Sequence, residues 1–162
     1  MISSASAAGI GLGAYGGPAI PIVQDDQGNG LVFGAKAKLN LIPGFAFEPN
    51  INFLSYGDAE FDFGTREGSK VTYFGADILF GGAGLPIGPK VYLLGGAGLY
   101  STSRDNDEDA SDFGFNFGLG MEIGIGSGIA LDIRGKGHVI MFEGASKKFV
   151  TVTGGLNYYL GY

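Results

Sequence analysis

Apolar and polar residues alternate one for one along most of this chain, the two-residue period of a β-strand with two unlike faces. From 30 to 41 one face carries Leu31, Phe33, Ala35, Ala37, Leu39 and Leu41, and the other Val32, Gly34, Lys36, Lys38 and Asn40. From 113 to 124, Phe113, Phe115, Phe117, Leu119, Met121 and Ile123 oppose Gly114, Asn116, Gly118, Gly120, Glu122 and Gly124. Further on, Ile129, Leu131, Ile133 and Val139 oppose Asp132, Arg134, Lys136 and His138. Applied between turn signals, the same test predicts eight strands at 9–17, 30–41, 45–56, 70–80, 90–100, 113–124, 129–140 and 149–162, after an N-terminal segment 1–8.

The predicted connections fall into two kinds. Those at 42–44, 81–89 and 125–128 are short or rich in Gly and Pro and almost uncharged, whereas those at 21–29, 57–69, 101–112 and 142–147 are mostly longer and charged. The two kinds alternate. An even number of strands with short turns at one end and longer loops at the other is the plan of a barrel in an outer membrane. On that plan both termini lie on the periplasmic side.

Alternation alone does not say which face is inside, and a soluble lipid-binding barrel stays open at this point. Volume decides between them. Eight strands enclose a lumen just wide enough to be filled by side chains. Phe33, Phe45, Phe47, Phe53, Phe74, Phe80, Phe113, Phe115 and Phe117 all lie on the apolar face, too much bulk for that space. The other face is largely Gly with a few amides and eight charges: Lys36, Lys38, Arg134 and Lys136 against Glu48, Asp77, Glu122 and Asp132. Four of each sign cancel, as a packed interior requires. The expected fold is therefore all-β: an eight-stranded antiparallel up-and-down transmembrane β-barrel with a polar filled interior, in a single domain spanning 1–162. Strands of about 11 residues tilted roughly 40° cross an apolar band of about 25 Å.

Composition adds constraints. Gly supplies 32 of 162 residues without a collagen period, which favours β structure over helix. The net charge of −6 then falls outside the lumen and argues against a nucleic-acid partner. The absence of Cys removes disulfides and thiolate metal sites. Ala5-Ser6-Ala7 resembles the small-residue end of an export-signal cleavage site, so the N-terminus reads as a mature or nearly mature one.

The last strand, Val150-Thr151-Val152-Thr153-Gly154-Gly155-Leu156-Asn157-Tyr158-Tyr159-Leu160-Gly161-Tyr162, alternates and closes on an aromatic. With Ala14-Tyr15-Gly16-Gly17 on the first strand, the chain resembles the OmpA/OmpX-type small eight-stranded outer-membrane proteins of Gram-negative bacteria over nearly its whole length. The resemblance implies outer-membrane lipid and lipopolysaccharide as surroundings. It also implies an assembly signal at Tyr158, Leu160 and Tyr162, read by the barrel-assembly machinery, and no room for a following peptidoglycan-binding domain.

Candidate chemistry is sparse. His138 faces inward, and lipid A deacylases of similar architecture would hold a His–Ser pair on the lipid side, but no Ser follows His138. The expected lumen network is Lys36, Lys38, Glu48, Asn50, Asn52, Asp77, Asn116, Glu122, Asp132, Arg134, Lys136 and His138. The acidic stretch 104–112 has a calcium loop's alternating oxygens, yet Ala110 stands where the turn Gly belongs and Asn116 where the bidentate Glu belongs. Residues 59–63 continue a strand pattern past the expected membrane boundary and put Phe61 and Phe63 on one face, a candidate surface-interaction loop able to recruit an extracellular protein by strand addition. The sequence thus points to a non-enzymatic outer-membrane protein with an envelope-structural or adhesion-like role, without catalytic residues, metal or cofactor. Alternatives are a small pore or hydrophobic-molecule conduit, a lipid A-modifying enzyme, or a soluble lipid-binding barrel.

Overall fold

A computed structural model describes residues 9–22, 28–57, 59–61, 64–66, 69–81, 89–104 and 107–160. Eight long strands close into an antiparallel barrel: β1 (Ile10–Ile22), β2 (Gly30–Ile42), β3 (Phe45–Tyr56), β6 (Lys70–Gly81), β7 (Pro89–Arg104), β8 (Asp107–Gly126), β9 (Ile129–Phe142) and β10 (Ala145–Leu160). Two short strands, β4 (Ala59–Phe61) and β5 (Gly64–Arg66), form a separate hairpin between β3 and β6. Each long strand pairs with its chain neighbours, and β1 pairs with β10 to close the ring.

The register fixes the geometry. Following paired residues once around, from Ile10 through Leu39, Phe47, Ile78, Gly95, Phe117, Gly137 and Val150, returns to β1 at Ile20. The ring therefore closes with a stagger of ten residues, and this stagger tilts the strands. The outward positions form an apolar belt: Phe33, Phe53, Phe74, Phe80, Leu93, Phe117, Leu119 and Leu156 are all more than half exposed. Such a surface is stable against lipid and would aggregate in water. Toward one end the outward positions turn polar, at Ser55, Lys70, Ser101, Ser103, Ser111 and Lys148, all exposed.

That end carries the β3–β6 excursion and the longer connections; the opposite end carries both described termini and the tight turns at 43–44 and 127–128. At each two-residue turn a Gly takes the left-handed backbone that the reversal needs, Gly44 at φ 78° and Gly128 at φ 76°. The connection expected at 142–147 is shorter than its charge suggested. Glu143-Gly144 alone join β9 to β10, with Gly144 at φ 78°. The Glu-Gly dipeptide is itself the turn, so the flanking Phe142 and Lys147 stay in the ladder.

Other expected boundaries also moved outward. β1 passes Gly17 to reach Ile22, and its prolines sit where one side of the ladder is open: no β1–β10 pair forms at 17 and 18, and Pro21 lies beyond the last β1–β2 pair at Ala19. β7 reaches Arg104 and β8 starts at Asp107, so the stretch read as a loop at 101–112 is mostly a two-stranded extension of the barrel wall. Charged residues conceal a strand here, since they break the apolar–polar period by which a strand is read.

Candidate functional site

Among the described residues, chemistry concentrates in the lumen. Lys36, Lys38, Glu48, Asn50, Asn52, Asp77, Asn116, Glu122, Asp132, Arg134, Lys136 and His138 all lie inside, each at most 8% exposed. Strand alternation puts them there, and three levels of contact join them.

Nearest the turn end, Glu122 Oε2 accepts from Lys38 Nζ at 3.0 Å, Asn157 Nδ2 at 2.6 Å and the Tyr159 hydroxyl at 2.6 Å. At mid-height Arg134 is gripped between two carboxylates. Its Nη1 and Nη2 reach Glu48, the latter at 3.3 Å, while its Nε donates to Asp132 Oδ2 at 3.1 Å. Lys36 and the Tyr92 hydroxyl also donate to Asp132, and Lys36 Nζ lies 4.0 Å from Glu48. A step toward the loop end, Lys136 Nζ donates to Asp77 Oδ2 at 2.7 Å, and Asn50 Nδ2 donates to the same oxygen at 3.1 Å. Asn52 bridges on to Asn50 at 3.0 Å and accepts from the Tyr15 hydroxyl. Each of the four lumen cations thus meets at least one carboxylate. Glu48 and Glu122, which might have formed an acid–base pair, are each held by cations instead.

Tyrosines complete this interior. Tyr15, Tyr73, Tyr92, Tyr100 and Tyr159 point inward, and each ring lies against a glycine of a neighbouring strand: Gly34, Gly98, Gly120, Gly114 and Gly11 respectively. A Cβ at any of those glycines would collide with the ring, so the glycines make room for the aromatic filler. Cations sit over several of the faces, with Lys36 5.2 Å from the Tyr15 centroid and Arg134 5.5 Å from that of Tyr92. Alternation put these tyrosines on the charged face. The signal missed was pairing: an inward Tyr beside an inward Gly on the next strand.

Above Lys136 the lumen becomes apolar. Ala19, Val32, Leu54, Tyr56, Val71, Tyr73, Tyr100, Ile140 and Phe149 form a buried cluster that plugs the loop end, and Phe142 packs against it. A smaller cluster of Ala46, Leu79, Tyr92 and Leu94 lies toward the turn end. His138 sits at the boundary of the plug. Its Nδ1 is 2.9 Å from the Tyr100 hydroxyl, its Nε2 is 3.1 Å from Thr151 Oγ1, and its ring stacks on Phe149 at 4.4 Å. Both nitrogens are thus engaged by hydroxyls inside the barrel, and among the described residues no carboxylate is hydrogen-bonded to the ring. A cavity of about 10 Å³ beside Tyr15, Asn52, Lys136 and His138 has room for about one water and no substrate. Among the described residues no group of three His, Cys, Asp or Glu side chains converges as a metal site.

Of the remaining candidates, Tyr158 and Leu160 face outward on β10 near the turn end, both about half exposed, and Tyr162 lies outside the described residues. Phe61 is in β4, whose side chains lie outside the described set, as does Phe63 altogether.

With this geometry in hand, the likenesses to known proteins fall on the same architecture. The family model "Outer membrane protein beta-barrel domain" matches residues 2–159. Neisserial surface protein A superposes with a TM-score of 0.75 at 14% identity, over 92% of this chain and 96% of that one. The N-terminal β-barrel domain of Pseudomonas aeruginosa OprF gives a TM-score of 0.57 at 14% identity, over 93% and 97%. Ail of Yersinia pestis, the attachment invasion locus protein, gives 0.56 at 14% identity, over 94% and 97%, and has also been solved with the heparin analogue sucrose octasulfate. At such identities the likeness is one of fold. Among curated protein sequences none matches this chain.

Proposed function

Since the chain belongs to the outer membrane protein β-barrel family, we propose that it is a non-enzymatic integral protein of the bacterial outer membrane that acts through surface interaction at its loop end, which faces outward from the cell. The distribution of charge carries this reading. The eight lumen charges cancel; of the other eighteen charged residues, twelve acidic and six basic, all but Lys90 lie toward the loop end by their place in the sequence. Long charged loops belong on the outer side and short turns on the periplasmic side, which puts both termini in the periplasm. The filled, ion-paired lumen and its apolar plug support an anchoring role over a conduit.

The surroundings follow from the belt. Outer-membrane lipid covers the apolar positions, and lipopolysaccharide meets the polar collar, where exposed Lys70 and Lys148 suit its phosphates. Tyr158 and Leu160, with Tyr162, serve as the signal for the barrel-assembly machinery. Ail's heparin analogue is a polyanion; the acidic loop end of this chain favours a cationic or neutral partner instead.

The test replaces residues 58–68 and 104–109 by short turns and compares both proteins on whole cells for attachment to extracellular proteins and to host cells. Attachment lost with an intact, heat-modifiable barrel supports the reading. Equal attachment by both proteins, with equal envelope integrity, sinks it.

A further inference from the structure

We propose that the outer part of β8, residues 107–113, is an open strand edge that binds a basic, extended peptide segment as an added β-strand. This rests on the reading above in one respect, the placement of the loop end outside the cell. The edge arises from unequal hairpins. β8 pairs with β9 only from Gly114, opposite Ile140, and β9 turns back at Glu143-Gly144. On its other side β8 stays paired to β7 as far as Asp107, opposite Arg104. Seven residues of β8, about 24 Å of strand, are therefore held extended by β7 while no described strand takes up their other edge.

The belt begins at the inner end of this edge. Ser111 and its β7 partner Ser101 are exposed and joined by a hydroxyl hydrogen bond of 2.8 Å, so the stretch stands above the apolar positions that begin at Phe113. Unpaired backbone groups on an extended strand are a template for another strand. Charge selects the occupant. Residues 107–113 read Asp-Glu-Asp-Ala-Ser-Asp-Phe, four acids and no base. A second copy would set acid against acid, which discourages self-pairing; a segment with Lys or Arg at alternate positions sets them all on one face, where acids at alternate positions of 107–113 stand across the strand pair.

The experiment uses the full chain in lipid nanodiscs and a synthetic nonapeptide of alternating Lys and Val. A control of equal charge has two of its Val replaced by Pro. Backbone amide exchange is followed across β8. The expected result is slowed exchange at alternate amides of 107–113, binding weakened by salt, and at least tenfold weaker binding by the Pro peptide. The D107N/E108Q/D109N variant, its barrel checked by heat-modifiability, should lose about tenfold in affinity. Equal binding by both peptides, or no protection of 107–113, overturns the proposal, as does concentration-dependent pairing of two barrels through this edge. The two readings fail separately. Protection of the edge while the loop-replaced barrel still attaches fully would remove the surface function and keep the edge. The reverse pattern would keep the function and remove the edge.

Discussion

Arg134 and Lys36 share Asp132, and Arg134 also donates from both of its Nη atoms to Glu48, all of them buried. Taking away one acid leaves a cation with too few partners in a place where water cannot replace them. Glu48→Ala should therefore destabilise the barrel by about 3–5 kcal/mol, read as a lower denaturant midpoint in lipid vesicles by gel mobility. The double variant Glu48→Leu with Arg134→Met removes the pair together and should cost clearly less than the single change. A second contrast lies in the glycines. At Gly96 an added Cβ meets Asp77 and the Ala76 carbonyl, whereas at Gly135 it meets nothing within 4 Å. Gly96→Ala should cost about 1–3 kcal/mol through overpacking. Gly135→Ala should stay within about 1 kcal/mol of the parent, toward greater stability because the denatured chain loses freedom. Equal effects at the two positions would mean that the lumen side of β7 is looser than its contacts indicate.

On the scale of strands, β8 gives the clearest test of inside and outside. Phe117 lies outward at mid-belt, 65% exposed, while its neighbours Asn116 and Gly118 face the lumen. Phe117→Arg should cost about 2–4 kcal/mol in a bilayer and slow insertion into vesicles; an unchanged refolding yield would mean that lipid does not touch this face. The same strand shows what could be read from sequence and what could not. Within the membrane every second residue faces lipid, so Phe113 to Ile123 declares its strand plainly. Beyond Phe113 the acids of 107–112 break the period, and a strand looks like a loop. The plug escaped notice for the opposite reason. Val32, Ile140 and Phe149 sit on the polar face, where apolar residues look like noise in the alternation until the register brings them to one level of the lumen. The charged members of the network were legible because four positive and four negative residues shared one face. Their partners were not, since alternation fixes a face and leaves the height at which strands meet to the ten-residue stagger.

For the molecule as a whole, the stagger, the belt and the paired lumen make one argument. A barrel whose charges are paired inside and whose apolar surface lies outside is stable only with lipid or detergent around it, and it offers ions no continuous wet path. Both consequences can be measured on the same refolded sample. Unheated protein in detergent should run as a compact band that heating shifts to the unfolded mobility, whereas refolding without detergent should give aggregate. In planar bilayers the same compact species should show no conductance steps, because the cluster around Tyr100 and Phe149 closes the lumen above Lys136. Regular steps would require that the plug opens and that Lys136 or Arg134 exchanges its carboxylate for a passing ion. The variant combining Tyr100→Ala with Phe149→Ala would then conduct more than the parent. A silent parent and a silent variant together would place the seal in the salt-bridged layer below, with the plug a packing device and the outer hairpins the part of the molecule left to meet a partner.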